Sequence, residues 1–225
     1  MAAAFITFEG IDGSGKSTQL RMLASVLRLR GLDVVVTREP GGTPLGTRLR
    51  AALLDTEEQV DPLAELLLYA ADRAQHVRQL VRPALATGHI VLSDRYADAT
   101  IAYQGGGRGF PAPLVQEVVI LATGGLMPDV TLIFDLPVTE SRARDKRRHN
   151  DGDADDRLDA ETDEFRTRVR AVYLQIAAAE PDRVRIIDAS RSIEETHARV
   201  LELVMPMIEV RGQRSEVSKE TNPHS

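Results

Sequence analysis

The segment "FEGIDGSGKSTQ", residues 8–19, points most directly to the fold, because it places three glycines, a lysine and several hydroxyl side chains after an apolar run. Gly10, Gly15, Lys16 and Ser17 fit the pattern G-x-x-x-x-G-K-[ST]. In such a loop the backbone N–H groups converge on phosphate oxygens, and the following helix N-terminus adds partial positive charge. Lys16 is expected to reach the β- and γ-phosphates of a bound triphosphate, and Ser17 to join the shell of Mg²⁺.

The predicted phosphate-binding residues are consecutive in the chain. They are Gly10, Ile11, Asp12, Gly13, Ser14, Gly15, Lys16, Ser17 and Thr18. The alternative, a glycine-rich turn with an exposed lysine, is disfavoured because the flanking segments read as a strand and a helix.

Five short apolar runs are typical of buried strands, and they lie at residues 4–9, 34–37, 90–93, 130–136 and 184–188. Segments with helical spacing of apolar residues separate them. The sequence "SIEE" (192–195) is a capping box that opens the last helix. Strands that alternate with helices predict an α/β fold, in which helices cover both faces of a parallel sheet.

Composition excludes several classes of protein. The 225 residues, 43% of them hydrophobic, fit one globular domain, and the net charge of −6 gives no general reason to bind nucleic acid or an anionic membrane. The chain has no cysteine, which excludes disulfides and thiolate metal sites. The start "MAAAFITFEG" lacks a signal-peptide pattern, so we expect a cytoplasmic protein without a membrane partner.

A second candidate site lies in "SDRYADATIAYQGGGRG", residues 93–109. Asp94 and Arg95 end an apolar strand, and ligands of open α/β sheets bind at the carboxyl ends of the strands. Asp94 could hold the metal or its water, and Arg95 could bind a second phosphate with two hydrogen bonds. The alternative is an ordinary surface ion pair. The Gln104 amide can both donate and accept, which suits the edge of a nucleobase.

Five motifs together resemble the bacterial thymidylate kinase family. They are "FEGIDGSGKST", "TREPGGTPLG", "LLLYAADRAQH", "LSDRYADATIAYQGGGRG" and "DRLD", in the order and spacing of the family over residues 4–205. The resemblance implies transfer of a phosphoryl group from ATP, with Mg²⁺, to thymidine monophosphate, giving the diphosphate for dTTP synthesis. It implies a nucleoside-monophosphate-kinase fold, a three-layer sandwich around a five-stranded parallel sheet with a short mobile lid, and commonly a homodimer.

The resemblance also implies an acceptor site. Asp12 is expected to contact the acceptor sugar, Arg95 its phosphate, and Asp94 the metal; Ser17 and Asp94 form the predicted metal pair. Tyr69 stands where the family usually stacks a phenylalanine on thymine, and its alternative role is packing in the core. The predicted acceptor residues are Asp12, Pro40, Arg50, Tyr69, Arg73, Arg95, Thr100, Tyr103 and Gln104.

The resemblance also assigns a role to the other residues of that acceptor set. Arg73 is expected to bond the base, Thr100 and Gln104 to read its polar edge, and Tyr103 to lie beside the sugar. Pro40 is placed near the sugar and Arg50 near the acceptor phosphate. Glu39, next to Pro40, could serve the metal site, but loop acids are more often solvated, so it is left out of the catalytic set.

The basic segment 141–159, "SRARDKRRHNDGDADDRLD", resembles the lid, which we place at residues 142–158. On charge pattern alone, a solvated charged helix and loop is the favoured interpretation. Some members of the family carry an arginine in the phosphate loop where this chain has Gly13, so the lid is expected to supply that cation, with Arg157 stabilising the closed lid. The predicted catalytic residues are Asp12, Lys16, Arg95, Arg142, Arg144 and Arg148.

Two other functions stay open from the sequence. A kinase for a different small acceptor would keep the phosphate loop without needing Arg95 on an acceptor phosphate. A nucleotide-dependent switch or motor would hydrolyse ATP without any acceptor. In either case we expect one domain over residues 1–210 and a disordered, polar tail over residues 211–225.

Overall fold

The chain folds around one parallel β-sheet. The computed structural model describes residues 3–54, 59–150 and 161–220, without the side chains of residues 146, 148–150 and 212–220. The strands are β1 (Ala4–Glu9), β2 (Val34–Arg38), β3 (Ile90–Asp94), β4 (Val130–Asp135) and β5 (Val184–Asp188). Their order in the sheet is β2-β3-β1-β4-β5, and every neighbouring pair is parallel. The predicted five-stranded α/β fold is therefore confirmed.

The helices of the described residues alternate with these strands. They are α1 (Lys16–Leu29), α2 (Pro44–Leu54), α3 (Pro62–His76), α4 (Arg82–Ala86), α5 (Ala97–Thr100), α6 (Ala112–Thr123), α7 (Val138–Asn150), α8 (Asp163–Ala179) and α9 (Ile193–Glu220). Two π-helical segments, Val77–Val81 and Ile101–Gly107, continue α3 and α5.

Strand β1 shows why the sheet is covered on both faces. Ala4, Ile6 and Phe8 join a core cluster that contains residues of α1 and α9, whereas Phe5 belongs to a separate cluster with Val77 and other residues. Successive side chains of a strand point to opposite faces, so this alternation places apolar groups on both sides of the sheet. A continuous apolar run is the expected sequence of such a strand.

The strand order determines where the loops meet. The chain passes from β1 to β2 and β3 on one side of the sheet, and then crosses to β4 on the other side of β1. The carboxyl end of β1 therefore lies where the direction of winding reverses, which is the usual position of a ligand site in open α/β sheets. Phe8 of β1 pairs with Asp94 of β3, so the loops that follow these strands are neighbours.

Helix α9 corrects the predicted tail. It begins after the capping box, in which the Ser192 and Glu195 side chains each accept a hydrogen bond from the other's backbone N–H. It then continues to Glu220, through most of the segment predicted to be disordered. Arg211 accounts for part of this extension, because it donates hydrogen bonds to the Asp129 carboxylate and the Ala3 carbonyl. Residues 221–225 of the predicted tail lie outside the described residues.

None of the helices in the described part of the chain combines the length and the apolar composition that crossing a bilayer requires.

Candidate active site

The loop between β1 and α1 has the backbone of a phosphate-binding loop. Gly10 and Gly13 have φ angles of 135° and 73°, which favour glycine. A Cβ at Gly10 would lie 2.6 Å from the Phe134 carbonyl oxygen, and one at Gly13 would lie 2.7 Å from the Ser141 carbonyl oxygen. The loop therefore packs against β4 on one side and α7 on the other.

Three charged side chains meet beside this loop. Lys16 Nζ lies 3.4 Å from Asp12 Oδ1, and Arg95 Nη2 donates to the same oxygen at 2.6 Å. The Arg95 guanidinium also lies 4.6 Å from the ring centre of Tyr103, whose hydroxyl donates to Asp12 Oδ2 at 3.4 Å. Four residues that the sequence predicts for the site are thus brought together from the phosphate loop, the start of α1, the residue after β3 and the π-helical segment that follows α5.

The charges of this cluster shift its pKa values. Burial alone would raise the pKa of Asp12, but the cations of Arg95 and Lys16 outweigh it and hold that pKa well below its ordinary value. Burial opposes the charge of Arg95, yet the Asp12 carboxylate keeps the Arg95 pKa well above its ordinary value. The Asp12 carboxylate and the Arg95 guanidinium are consequently both charged at neutral pH.

The backbone of Arg95 is itself unusual. Its φ angle of 71° is the only positive value among the non-glycine residues that the structure describes. The Arg95 N–H donates to the Phe8 carbonyl, and the Arg95 carbonyl accepts from the Ser93 hydroxyl. The next N–H, of Tyr96, donates to Glu9 Oε1 at 2.7 Å. These bonds hold a left-handed conformation, which costs about 1–2 kcal/mol, and so aim the guanidinium at the loop.

Glu9 is a residue that the sequence analysis missed. It is fully buried and also accepts a hydrogen bond of 2.7 Å from the Tyr173 hydroxyl. Burial and the nearby Asp98 raise the pKa of Glu9 to about 8, although its hydrogen bonds and Arg95 act in the opposite direction. An acid at the last position of an apolar strand was the signal in the sequence.

We expect the stability of the protein to fall as the pH rises from about 5 to about 8, because the folded state retains a proton on Glu9 that the unfolded chain releases. The pKa of Glu9 in the folded state exceeds its ordinary value, so this group stabilises fully below pH 4.5 and loses its contribution through pH 8. Over this range Glu9→Gln should remove a pH dependence on the order of a few kcal/mol. Urea unfolding of both proteins across this range measures the difference.

Glu202→Gln, on an exposed position of α9, is the matched control and should retain the profile of the unmodified chain. Burial and the nearby Glu39 raise the pKa of Asp72 to about 6. Asp72 therefore contributes to the lower part of this pH range in all three proteins. Parallel profiles for the unmodified chain and Glu9→Gln would contradict the prediction.

The predicted metal pair is formed by adjacent oxygens. Ser17 Oγ donates to Asp94 Oδ2 at 2.5 Å, although the two residues are far apart in sequence. Hydroxyl and carboxylate oxygens are ligands that Mg²⁺ accepts. Among the described residues no group of three or more His, Cys, Asp or Glu side chains forms a self-contained metal site. An ion here would therefore complete its shell with water and phosphate oxygens, as Mg²⁺ commonly does.

The predicted base-binding residues form a second, buried cluster. Arg73 donates to Thr100 Oγ1 at 2.6 Å, to the Tyr96 carbonyl at 2.7 Å and to Glu39 Oε2 at 2.8 Å. Gln104 follows Thr100 by four residues and donates from Nε2 to Glu65 Oε1 at 2.9 Å. Arg73, Thr100 and Gln104 are thus held in position by protein contacts.

Tyr69 is half-buried and packs against the apolar cluster that contains Leu53, Tyr103 and Phe165. This contact agrees with the packing role that the sequence left open for Tyr69. Its expected stacking on thymine remains a prediction.

The interpretation of Glu39 as a solvated acid is wrong. Only 4% of its surface is exposed, and His76 Nδ1 lies 2.6 Å from its Oε1, opposite the bond from Arg73. His76 Nε2 in turn lies 2.7 Å from Thr37 Oγ1. Two basic partners from α3 bury this carboxylate beneath the loop after β2, which is why a local reading of that loop failed.

Pro40, in the loop after β2, contacts Arg50 of α2. Arg50 Nη1 donates to the Pro40 carbonyl at 3.5 Å. Gly41, next to Pro40, donates its N–H to Asp72 Oδ1 at 3.2 Å. The loop that carries the predicted sugar contact is therefore attached to α3. The expected contacts of Pro40 and Arg50 with the acceptor stay predictions.

The predicted lid arginines have different surroundings. Arg142 binds Asp163 at 2.6 Å and the Glu161 carbonyl at 2.7 Å, so it ties α7 to the start of α8. Arg144 donates to the Ala189 carbonyl, in the loop after β5, at 2.9 Å. The Arg148 side chain, Arg157 and residues 151–158 of the predicted lid lie outside the described residues.

Arg166 of α8 is a cation that the sequence analysis overlooked. It is buried, donates to Asp145 Oδ2 at 2.7 Å, and helps to lower the pKa of Asp12. Ser141, from the same helix as Asp145, donates to the Asp12 carbonyl at 2.7 Å. The signal was that Arg166 stands one residue after Phe165 and three before Val169, beside the apolar positions of this helix.

The arrangement can therefore hold two phosphate-bearing ligands face to face. The phosphate loop contributes its amides and Lys16, the residue after β3 contributes Arg95, and both cations approach the Asp12 carboxylate. Converging cations beside fixed N–H donors are what phosphoryl transfer requires, because charge develops on the transferred group.

Comparison with known proteins agrees with this geometry. The family model described as "Thymidylate kinase" matches residues 8–200. A thymidylate kinase of Exiguobacterium sibiricum is 45% identical over 216 residues, which cover 96% of this chain and 100% of that relative. A thymidylate kinase of Nitratidesulfovibrio vulgaris is 49% identical over 208 residues, covering 91% of this chain and 97% of its own.

A solved structure shows the same likeness in three dimensions. The crystal structure of thymidylate kinase from Ehrlichia chaffeensis superimposes with a TM-score of 0.74 at 35% sequence identity. The match covers 91% of this chain and 99% of that one.

Proposed function

Because the chain belongs to the thymidylate kinase family, we propose that the cluster of Lys16, Asp12 and Arg95 is the centre at which it carries out the family reaction. The protein phosphorylates thymidine monophosphate to thymidine diphosphate with ATP as donor. The observation that supports this centre is the placement of Arg95 Nη2 at 2.6 Å from Asp12 Oδ1, the same oxygen that Lys16 Nζ approaches to 3.4 Å.

The loop after β1 holds the donor. Its N–H groups and the N-terminus of α1 face the phosphates of ATP, and Lys16 neutralises charge near the β- and γ-phosphates. Ser17 and Asp94 would hold Mg²⁺, because their oxygens already lie together and leave the other ligand positions to water and phosphate. When bound, the ion supplies positive charge that offsets the crowded phosphate oxygens.

The acceptor lies on the side of Arg95. Its phosphate is already anionic, so the reaction places little demand on a general base, and positioning does most of the work. Arg95 grips this phosphate with its planar guanidinium, and Asp12 orients Arg95 and the sugar. Arg73, Thr100 and Gln104 hold the base, with Tyr69 and Tyr103 beside the nucleoside.

The cations beyond the loop complete the site. We assign Arg144 to the donor side, since it contacts the loop after β5, and Arg142 to the link between the lid and α8. Gly13 packs under α7, where any side chain would meet the Ser141 carbonyl. An arginine cannot occupy the loop there, which supports the prediction that the lid supplies it.

A coupled assay of ADP production tests the function. With ATP and Mg²⁺, thymidine monophosphate should be turned over far faster than uridine, cytidine or adenosine monophosphate and faster than thymidine itself. Preference for thymidine would favour a kinase for a different acceptor, and ADP formation at the same rate without any acceptor would favour a switch or motor.

A homodimer is supported by apolar side chains on two helices that pack together. Leu63 and Leu67 of α3 are 49% and 53% exposed, and Leu114 and Leu121 of α6 are 39% and 77% exposed. An apolar stripe of this kind on a single chain is typical of an interface. A second copy of the chain would cover it.

We expect Leu121→Lys to convert the dimer into a monomer, because a buried lysine would lose its hydration at the interface. Size-exclusion chromatography with light scattering should give twice the chain mass of 24.7 kDa for the unmodified protein and the single mass for the variant. Leu29→Lys, on an α1 residue that is 88% exposed, is the control and should stay dimeric. A monomeric unmodified protein would contradict the proposal.

We also keep the prediction of a cytoplasmic location. The donor ATP is abundant in that compartment, which supports it.

A further inference from the structure

Glu65 is a buried carboxylate next to the acceptor-base cluster. It lies in the first turn of α3 and has no exposed surface. Its Oε1 accepts hydrogen bonds from Gln104 Nε2 at 2.9 Å and from Arg108 Nε at 3.0 Å, and its Oε2 accepts one from Arg108 Nη2 at 2.9 Å. A buried carboxylate with this many charged and polar contacts fixes the groups around it.

Arg108 keeps Glu65 in place. Its guanidinium forms the bidentate pair with Glu65, lies 2.6 Å from Glu161 and stacks 4.7 Å from the ring centre of Phe165. Burial lowers the pKa of Arg108, but the hydrogen bonds to Glu65 and Glu161 more than compensate and raise it above its ordinary value. Arg108 therefore fixes the carboxylate, and the Oε1 that accepts from Arg108 Nε also accepts from Gln104 Nε2.

This contact determines which way the Gln104 amide points. Only the NH₂ group of an amide can donate to a carboxylate, so Nε2 must face Glu65 and Oε1 must face away. The reversed amide would place a carbonyl oxygen against a buried negative charge. With Nε2 bound to the Glu65 carboxylate, Gln104 Oε1 lies on the other side of the amide, away from that carboxylate. Gln104 lies about one turn after Thr100, which contacts Arg73, so this carbonyl belongs to the base cluster.

The fixed carbonyl has a consequence for the base that can bind. Thymine and uracil carry a donor at N3 and an acceptor at O4, whereas cytosine carries an acceptor at N3 and an amino donor at C4. A carbonyl of Gln104 accepts from N3–H but cannot pair with the N3 of cytosine. The guanidinium of Arg73 can only donate, which suits O4 and opposes the amino group of cytosine.

We propose that Glu65, held by Arg108, is a positioning residue that orients Gln104 and thereby selects pyrimidine bases with an N3–H over cytosine. This inference rests on the proposed function, because it takes the cluster of Arg73, Thr100 and Gln104 to be the base site. Glu65 thus contributes to the specificity for the acceptor base without contacting the substrate.

The test compares Glu65→Gln with the unmodified enzyme on thymidine monophosphate and deoxycytidine monophosphate. The amide that this substitution introduces can turn to suit either orientation of Gln104, so the preference for one orientation disappears. We expect the ratio of kcat/KM for thymidine monophosphate over deoxycytidine monophosphate to fall about tenfold. The change should lie mainly in KM for the acceptor, while KM for ATP stays the same.

A double-mutant cycle distinguishes orientation from general structure. In the background of Gln104→Leu there is no amide to orient, so adding Glu65→Gln should change the ratio by less than about twofold. An equal loss of activity toward both acceptors, with an unchanged ratio, would overturn the proposal. So would an equal fall of the ratio in both backgrounds.

Two further variants keep the test decisive. If Glu65→Gln fails to fold, Glu65→Asp retains the charge beside Arg108 but draws the carboxylate back from Gln104, and it should lower the ratio in the same direction. Glu202→Gln, the same change in an exposed pair on α9, should leave the ratio unaltered. Failure of the unmodified enzyme to use thymidine monophosphate would instead reject the proposed function itself.

Discussion

Replacing Arg95 with alanine is expected to reduce kcat/KM for thymidine monophosphate about 10²-fold or more, equivalent to about 2.7 kcal/mol of transition-state stabilisation. Arg95 is the only cation from β3 or its following loop that contacts Asp12 in the described structure, and its bond of 2.6 Å joins the acceptor side to the phosphate loop. Without it, the proposed acceptor site loses its guanidinium, and no other described arginine donates to Asp12.

The measurement is steady-state kinetics with each substrate varied in turn. KM for ATP should change little, because the donor is held by the loop and Lys16. Arg95→Lys retains the charge without the planar fork, so it should recover only part of the activity. Arg199→Ala removes an exposed arginine of α9 and serves as the control. Unchanged acceptor kinetics in Arg95→Ala would remove Arg95 from the site.

The alanine variant also changes the electrostatics of Asp12. The Arg95 cation is the largest of the effects that lower the Asp12 pKa, so its loss should raise that pKa toward the ordinary value. A carboxylate with a depressed pKa stabilises the folded state above its unfolded pKa and loses that contribution as the pH falls. As the pH is lowered below about 4, the free energy of unfolding should therefore fall less for Arg95→Ala than for the unmodified chain. Urea unfolding of both proteins measures this difference.

Replacing Lys16 with alanine is expected to reduce kcat about 10³-fold, while KM for thymidine monophosphate stays within a few-fold of the original. Lys16 is 6% exposed and lies at the first position of α1, so its ammonium is held at the centre of the charge cluster. Charge on the transferred phosphoryl group develops in the transition state, and a fixed cation at that point stabilises it more than it stabilises bound ATP.

Single-turnover kinetics with saturating ATP measure the effect on the chemical step. Arg21→Ala removes an exposed cation of the same helix, five residues further along, and should retain full activity. Circular dichroism should show both variants folded, because the backbone of the loop is set by its glycines. A loss of activity that excess ATP restores would show that Lys16 contributes only to donor binding.

Much of the fold could be predicted from short stretches of sequence. The five apolar runs are the five strands, and the capping box at Ser192 begins α9, because burial on both faces and helix capping act over a few residues. The phosphate loop was recognised for the same reason. Gly10, Gly13 and Gly15 have positive φ angles, and the glycines that such angles favour are visible within this short stretch of sequence. The tail was misjudged where a distant contact, Arg211 with Asp129, extends a polar helix.

The candidate site was predicted less completely. Asp12, Lys16, Asp94 and Arg95 were proposed because they stand beside glycine or strand-end signals, and the structure brings their side chains to the same loop. Glu9, Glu39, Glu65 and Arg166 were missed or misjudged, although they hold the functional side chains in position. Each looks like an ordinary charged residue in its own segment, and its burial appears only when another element covers it.

The sequence by itself therefore determined the strands, the alternation with helices and the loop that binds phosphate, because these depend on neighbours within a few residues. Only the tertiary structure decided the strand order that brings Asp94 to Ser17, the pairing of Glu39 with Arg73 and His76, and the contact of Glu65 with Gln104. These pairs are separated by 77, 34, 37 and 39 residues. Such partners meet only after the apolar faces of the sheet and helices have packed, since desolvation then makes each buried charge require a partner.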